Sequence, residues 1–201
     1  MKNIILITIA SILISGCATT PPAKPITSIK ITLPNTSEWT QITNQSDGNK
    51  YLREWVPMGS TGFNAQWLIV EQKLNIKSGV SAEEYIKGIF SLARKACTDI
   101  LYNGPFELNT DGHETSIGRF MCAQQKGKKY GTFTDQRIIT QGTSAYVITS
   151  ELRLPSTIKA GVLSFKKDQL HEMQSFMKNQ IASTKFVRNA VSICSSGMPS
   201  C

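Results

Sequence analysis

Residues 130–155 read YGTFTDQRIITQGTSAYVITSELRLP, and this stretch decides the fold. Tyr130 to Thr140 and Ala145 to Leu154 read as two strands, and Gln141-Gly142-Thr143-Ser144 between them has hairpin chemistry. Pro155 stops the second strand. A connection this short joins antiparallel neighbours, because parallel strands need a crossover of a dozen residues or more. Just upstream, Lys126-Gly127-Lys128-Lys129 is a tight basic turn that leads back to another strand, Ser116 to Gln124.

Working outward toward the N-terminus, Phe106–Leu108 pairs with Ser116–Gln124, and Asn103-Gly104-Pro105 breaks the chain before it. Phe120 and Cys122 share one face of their strand, opposite Arg119. Ser81-Ala82-Glu83-Glu84 is a capping box, with Ser81 as N-cap and Glu84 reaching back to its amide. Tyr85, Ile86, Ile89, Phe90, Ala93, Ala96 and Cys97 then recur at helical spacing. Trp67 to Ile76 is a strand with Leu68, Val70, Leu74 and Ile76 on one face, and Met58 to Gln66 is a loop. Tyr51 to Val56 alternates and stops at Pro57, after the turn residues Gln45 to Asn49. Ile29, Ile31 and Leu33 alternate with Lys30 and Thr32 in a first strand that ends at Pro34.

Toward the C-terminus, Phe165 to about Lys185 is a second helix. Its apolar stripe is Phe165, Leu170, Met173, Phe176, Met177 and Ile181. The order of strands, helix, strands, helix with hairpin connections predicts an α+β domain. It is a mostly antiparallel sheet carrying two packed amphipathic helices.

Four cysteines follow residue 90: Cys97, Cys122, Cys194 and Cys201. Three pairings are open. Local geometry favours Cys97–Cys122, a core-facing helix residue beside a core-facing strand residue, and Cys194–Cys201, which closes a short loop containing Gly197 and Pro199. No C-x-x-C occurs and the two histidines lie far apart in sequence, so no metal site is expected.

The other end of the chain carries an address. Lys2 precedes an apolar run, Ile4 to Ile14, of about 11 residues, shorter than the roughly 20 that a spanning helix needs. Ile14-Ser15-Gly16-Cys17 follows it directly. This motif resembles the lipobox of bacterial lipoproteins. The resemblance implies a signal peptide over 1–16 and acyl chains such as palmitate on Cys17. With two or three chains, at roughly 0.8 kcal/mol per buried methylene, the anchor is stable. Ala18, where the family's inner-membrane retention signal has Asp, implies an outer-membrane anchor facing the periplasm. Residues 17–27 then form a Pro-rich tether, 28–190 a single domain and 191–201 a C-terminal disulfide loop.

Composition agrees with one ordinary globular domain: 40% of residues are hydrophobic and the net charge is +8. A basic surface suits anionic lipid, peptidoglycan carboxylates or an acidic protein. Nucleic acid is excluded by export. Catalytic motifs are incomplete. Ser164-Phe165-Lys166-Lys167 matches the S-x-x-K of penicillin-binding enzymes, but their other two elements are missing. Gly59-Ser60-Thr61-Gly62 lacks the Lys of a phosphate loop. His113, in Asp111-Gly112-His113-Glu114, is expected to be an exposed turn residue without a nucleophile, and His171 borders the second helix's stripe.

Two sets of residues are candidates for binding. Trp55, Phe63 and Trp67 flank the loop Pro57–Gln66, either as a ligand mouth or, as such aromatics more often are, as core residues capping a sheet end. Lys126, Lys128 and Lys129, with Lys166 and Lys167, are candidates for a cationic patch toward lipid or partner, a solvated hairpin tip being the plainer account. The expected function is therefore that of a non-enzymatic, lipid-anchored envelope protein. It needs no cofactor, meets the membrane through Cys17 and binds or scaffolds another envelope protein. A small-ligand or lipid-binding module is the alternative, and an envelope hydrolase using Ser164 or His113 ranks below both.

Overall fold

The computed structural model describes residues 24–35, 38–165 and 167–195. Among these, strands β1 (Ile26–Ile31), β2 (Trp39–Asp47), β3 (Lys50–Pro57) and β4 (Trp67–Asn75) precede helix α1 (Ala82–Ala96). Strands β5 (Ile100–Thr110), β6 (His113–Cys122), β7 (Tyr130–Gln141) and β8 (Ser144–Pro155) follow, then α2 (Leu170–Asn189) and β9 (Val191–Ser195). Seven strands make one sheet in the order β2-β3-β4-β8-β7-β6-β5, and β1 pairs with β9 as a separate ribbon. All of these pairings are antiparallel. The fold is the expected α+β class, with a mostly antiparallel sheet and two helices.

The β7–β8 hairpin is the sheet's longest ladder. Gln141 pairs with Ser144, leaving Gly142 and Thr143 as a two-residue turn, and Gly142 takes the positive φ (59°) that such turns require. The two faces of the sheet are covered differently. On one lie α2 and the β1–β9 ribbon, which close a core containing Trp67, Ile69, Phe133, Ile148, Phe186 and Ile193. On the other lies α1, whose Ala82 and Ile86 pack on Ile138, Ala145 and Val147, joined by Leu74 and Ile76.

Helix α1 starts where expected. Ser81 Oγ accepts from the Glu84 amide at 3.0 Å, and Glu84 Oε2 accepts from the Ser81 amide at 3.1 Å. Its approach to the sheet depends on Gly118, where an added Cβ would stand 2.6 Å from Ile86 Cδ1. The bond between Cys97 and Cys122 ties the residue after α1 to the end of β6.

Several expectations are corrected. On β4 the most buried residues are Trp67, Ile69 and Glu71, while Leu68 and Val70 are half-buried. The strand lies between β3 and β8 with cover on both sides, so apolar residues occupy both faces. Strand β2 carries no legible alternation because it is an edge strand with no fully buried side chain. Asn103-Gly104-Pro105 does not end a strand. β5 runs through it with a register shift between Asn103 and Phe106, a bulge that keeps both flanking segments paired to β6.

Helix α2 turns only part of its expected stripe inward: Phe176 packs edge-on against Phe133 of the core, and Met173 is half-buried. Leu170, Met177 and Ile181 are each more than half exposed, and the buried residues are Ser183, Phe186 and Val187. The helix is rotated so that Ser183 and Thr184 reach a buried aspartate, Asp135. At the ends, β1 begins at Ile26, inside the expected tether. Val191–Ser195 is a strand rather than loop, because β1 supplies its hydrogen-bonding partner. The signal segment, Cys17, most of the tether and Cys201 lie outside the described residues. Cys194 is buried and disulfide-bonded.

Candidate functional site

A cationic end forms around the disulfide, held by it and by backbone hydrogen bonds. Beside the Cys97–Cys122 bond, the Lys126 amide donates to the Ala96 carbonyl at 2.8 Å, and Cys97 bridges to Gln125. The last turn of α1, which carries Arg94 and Lys95, is thus held against the β6–β7 turn, which carries Lys126, Lys128 and Lys129. A third segment joins them: the Thr157 amide donates to the Ala123 carbonyl at 3.0 Å and the Ala160 amide to Asp99 Oδ2 at 2.9 Å. That segment brings Lys159. All six cationic side chains are exposed, and none forms an ion pair with a described carboxylate. Asp99, the carboxylate among them, is occupied by the amides of Ile100 and Ala160.

Of the expected cationic patch, the three turn lysines stand together. Lys167 opens a 3-10 turn ahead of α2, and Lys166 lies outside the described residues. Arg94, Lys95 and Lys159 were not named from sequence. The signal for the first two was present, since they immediately precede Cys97 and the bridge to Cys122 brings them to the turn.

This end is remote from the start of the domain. The Ile26 amide donates to Gln141 Oε1 at 2.8 Å, so the chain enters at the β7–β8 hairpin. The basic turn precedes Tyr130 at the other end of β7. The strand between them spans about 35 Å at the usual rise per residue.

The aromatic mouth does not form. Trp67 is 2% exposed, donates its indole N–H to Ser150 Oγ at 2.8 Å and meets Trp39 edge-on with ring centroids 5.1 Å apart. It is a core residue. Phe63 is 98% exposed, and Trp55 packs against the core from β3. The loop that was to carry the mouth is instead fastened down, with Arg153 Nη1 donating to the Gly62 carbonyl at 2.7 Å.

Buried charges have structural partners. Asp135 accepts from Arg119 Nε at 2.7 Å and from Ser183 Oγ at 2.9 Å, fixing α2 to the sheet. Arg137 donates to the Arg188 carbonyl at 2.9 Å and to Thr110 Oγ1, placing a cation at the C-terminus of α2, where the helix dipole favours it. Burial lowers the Arg137 pKa, and Asp111 opposes that shift. Glu71 accepts from Tyr51 Oη at 2.7 Å. Burial, then that hydrogen bond, pushes the Tyr51 phenol well above its ordinary value.

The expected hydrolase residues are dispersed. His113 is buried, contrary to its expected exposure, because it opens β6 opposite Thr110 rather than sitting in the turn. Ser164 is exposed before α2, and His171 is exposed on it. Cavities flank α2 on both sides. One of about 300 Å³ lies toward β5, with Arg119 on its floor beside Phe133 and Phe176, and one of about 650 Å³ lies toward residues 32–35.

Neither a protein-family model nor a curated protein sequence matches the chain. Solved structures do resemble it. PA94 from Pseudomonas aeruginosa, a protein of unknown function, is 12% identical with a TM-score of 0.40, over 72% of this chain and 94% of that one. LpqN of Mycobacterium tuberculosis, involved in cell envelope biogenesis, is 9% identical with a TM-score of 0.41, over 88% and 87%. The cyanobacterial PsbP of Synechocystis sp. PCC 6803 is 8% identical with a TM-score of 0.35, over 81% and 98%. At these identities and scores no residue role transfers.

Proposed function

We propose that this chain is a non-enzymatic, lipid-anchored lipoprotein of the bacterial outer membrane, facing the periplasm. Through its cationic end it binds an envelope protein that presents negative charge. Residues 14–17 carry the anchoring half of this reading. The binding half rests on one observation: Arg94, Lys95, Lys126, Lys128, Lys129 and Lys159 converge without carboxylate partners at the end of the sheet opposite the chain's entry. Unpaired like charges repel one another, and a partner of opposite sign relieves that repulsion and speeds encounter. The distance between the two ends supports the division of labour, because an anchor at the hairpin end leaves the cationic end pointing away from the bilayer.

The test places a photo-crosslinking residue at Lys128 and, separately, at Thr143 in the opposite hairpin, in intact cells fed labelled palmitate. Label is expected on the native chain and absent from Cys17→Ser. A discrete crosslinked protein is expected from position 128 and not from 143, and is lost when Lys126 and Lys129 become Glu. An unlabelled chain overturns the anchor. Monomer alone from both positions overturns the binding role.

A further inference from the structure

The larger cavity beside α2 has a composition that the fold itself does not require. Its walls are Leu33 and Pro34 on one side and Ile181 and Phe186 on the other, with Lys178 and Lys185 at the rim. Two bonds fix the segment after β1, one to the end of the helix and one to the start of β2. The Thr32 amide donates to the Ala190 carbonyl at 2.9 Å, and Trp39 Nε1 donates to the Pro34 carbonyl at 2.7 Å. Small residues face the gap there, Ala182 on the helix and Ala190 just after it.

At about 650 Å³ the groove falls within the range of small-molecule sites, roughly 300–1,000 Å³. The cavity on the other flank of α2 is less than half as large, and a charged side chain, Arg119, lies on its floor. Ile181 is 57% exposed at the groove, an apolar side chain that the domain's own core does not use. Among the described residues, no carboxylate lines the groove. Both lysines have apolar stems able to lie along a hydrocarbon while their ammonium groups reach water.

We propose that this groove holds one acyl chain of an anionic lipid, with Lys178 and Lys185 pairing the headgroup. The apolar walls receive the chain, and the two cations select a negative head over a zwitterionic one. This site is separate from the cationic end and independent of acylation at Cys17.

The test uses the full chain carrying Cys17→Ser, so that no covalent acyl group competes, and lysophosphatidylglycerol below its micelle concentration as the probe. Equilibrium dialysis is expected to show one saturable site, with lysophosphatidylcholine at least tenfold weaker. Ile181→Asp is expected to weaken binding tenfold or more, as is Lys178→Glu with Lys185→Glu; all three positions are exposed, and thermal melting checks their folding. Lys128→Glu with Lys129→Glu, at the cationic end, is expected to leave affinity unchanged. Non-saturable uptake, indifference to the groove variants, or equal loss in the Lys128 and Lys129 variant overturns the proposal. None of these outcomes bears on palmitate labelling or on crosslinking from position 128.

Discussion

The backbone of Lys126 is hydrogen-bonded to Ala96, one residue before the cysteine that is bonded to Cys122. Backbone bond and covalent brace therefore coincide where Arg94 and Lys95 meet the basic turn, and the bridge reinforces the arrangement of the cations.

Replacing Cys97 and Cys122 together with Ala is expected to cost about 3.5 kcal/mol, the loop-closure value for a sequence separation of 25. Urea unfolding under non-reducing conditions measures it. The same variant is expected to crosslink less from position 128 at temperatures where it is still folded.

Gly118→Ala sets a methyl group 2.6 Å from Ile86 Cδ1 and 3.2 Å from Tyr102 Oη. The expected cost is about 1–3 kcal/mol, typical of overpacking. Adding Ile86→Val is expected to recover part of it, giving a favourable coupling energy in a double-mutant cycle.

Asp135→Ala leaves Arg119, Ser183 and Thr184 without their shared acceptor. The loss is expected at about 3 kcal/mol, the range for breaking one side of a buried pair. Hydrogen exchange is expected to rise most in α2, because this contact fixes that helix's rotation.

Alkaline pH is expected to destabilise the fold in part through Tyr51. The folded state holds the phenolic proton more tightly than the unfolded chain, whose tyrosines titrate near pH 10. Above that pH the unfolded state binds fewer protons, so stability falls as pH rises. Tyr85, Tyr102 and Tyr146 shift in the same direction through burial. Tyr51→Phe is therefore expected to flatten the decline above pH 10 without abolishing it, as followed by urea unfolding across pH 8–11.

What the sequence disclosed was mostly local. Ser81 and Glu84 announce a helix start, Gly142 announces a hairpin, and the periodicities leading to Cys97 and Cys122 put both sulfurs on facing surfaces. What it concealed depended on distant partners. Strand β2 shows little alternation, because an edge strand is defined by the backbone of its neighbour rather than by burial. Val191 to Ser195 become a strand only because β1 is there to pair with them. The rotation of α2 is set by a buried carboxylate on another strand, which outweighs the exposed Leu170, Met177 and Ile181. For the cationic end, three of six residues were visible as a run, and the others required knowing which segments meet.

The pairing of β1 with β9 joins the first described strand to the last. Phe186, Val191 and Ile193 cannot seal the core over Trp67 and Ile69 until nearly the whole polypeptide is present. A chain threaded through a membrane from its N-terminus would stay open, and so remain threadable, until its tail arrived. In a chain exported in this way, the late contact would act as a latch on maturation, closing the domain only after β9 had crossed.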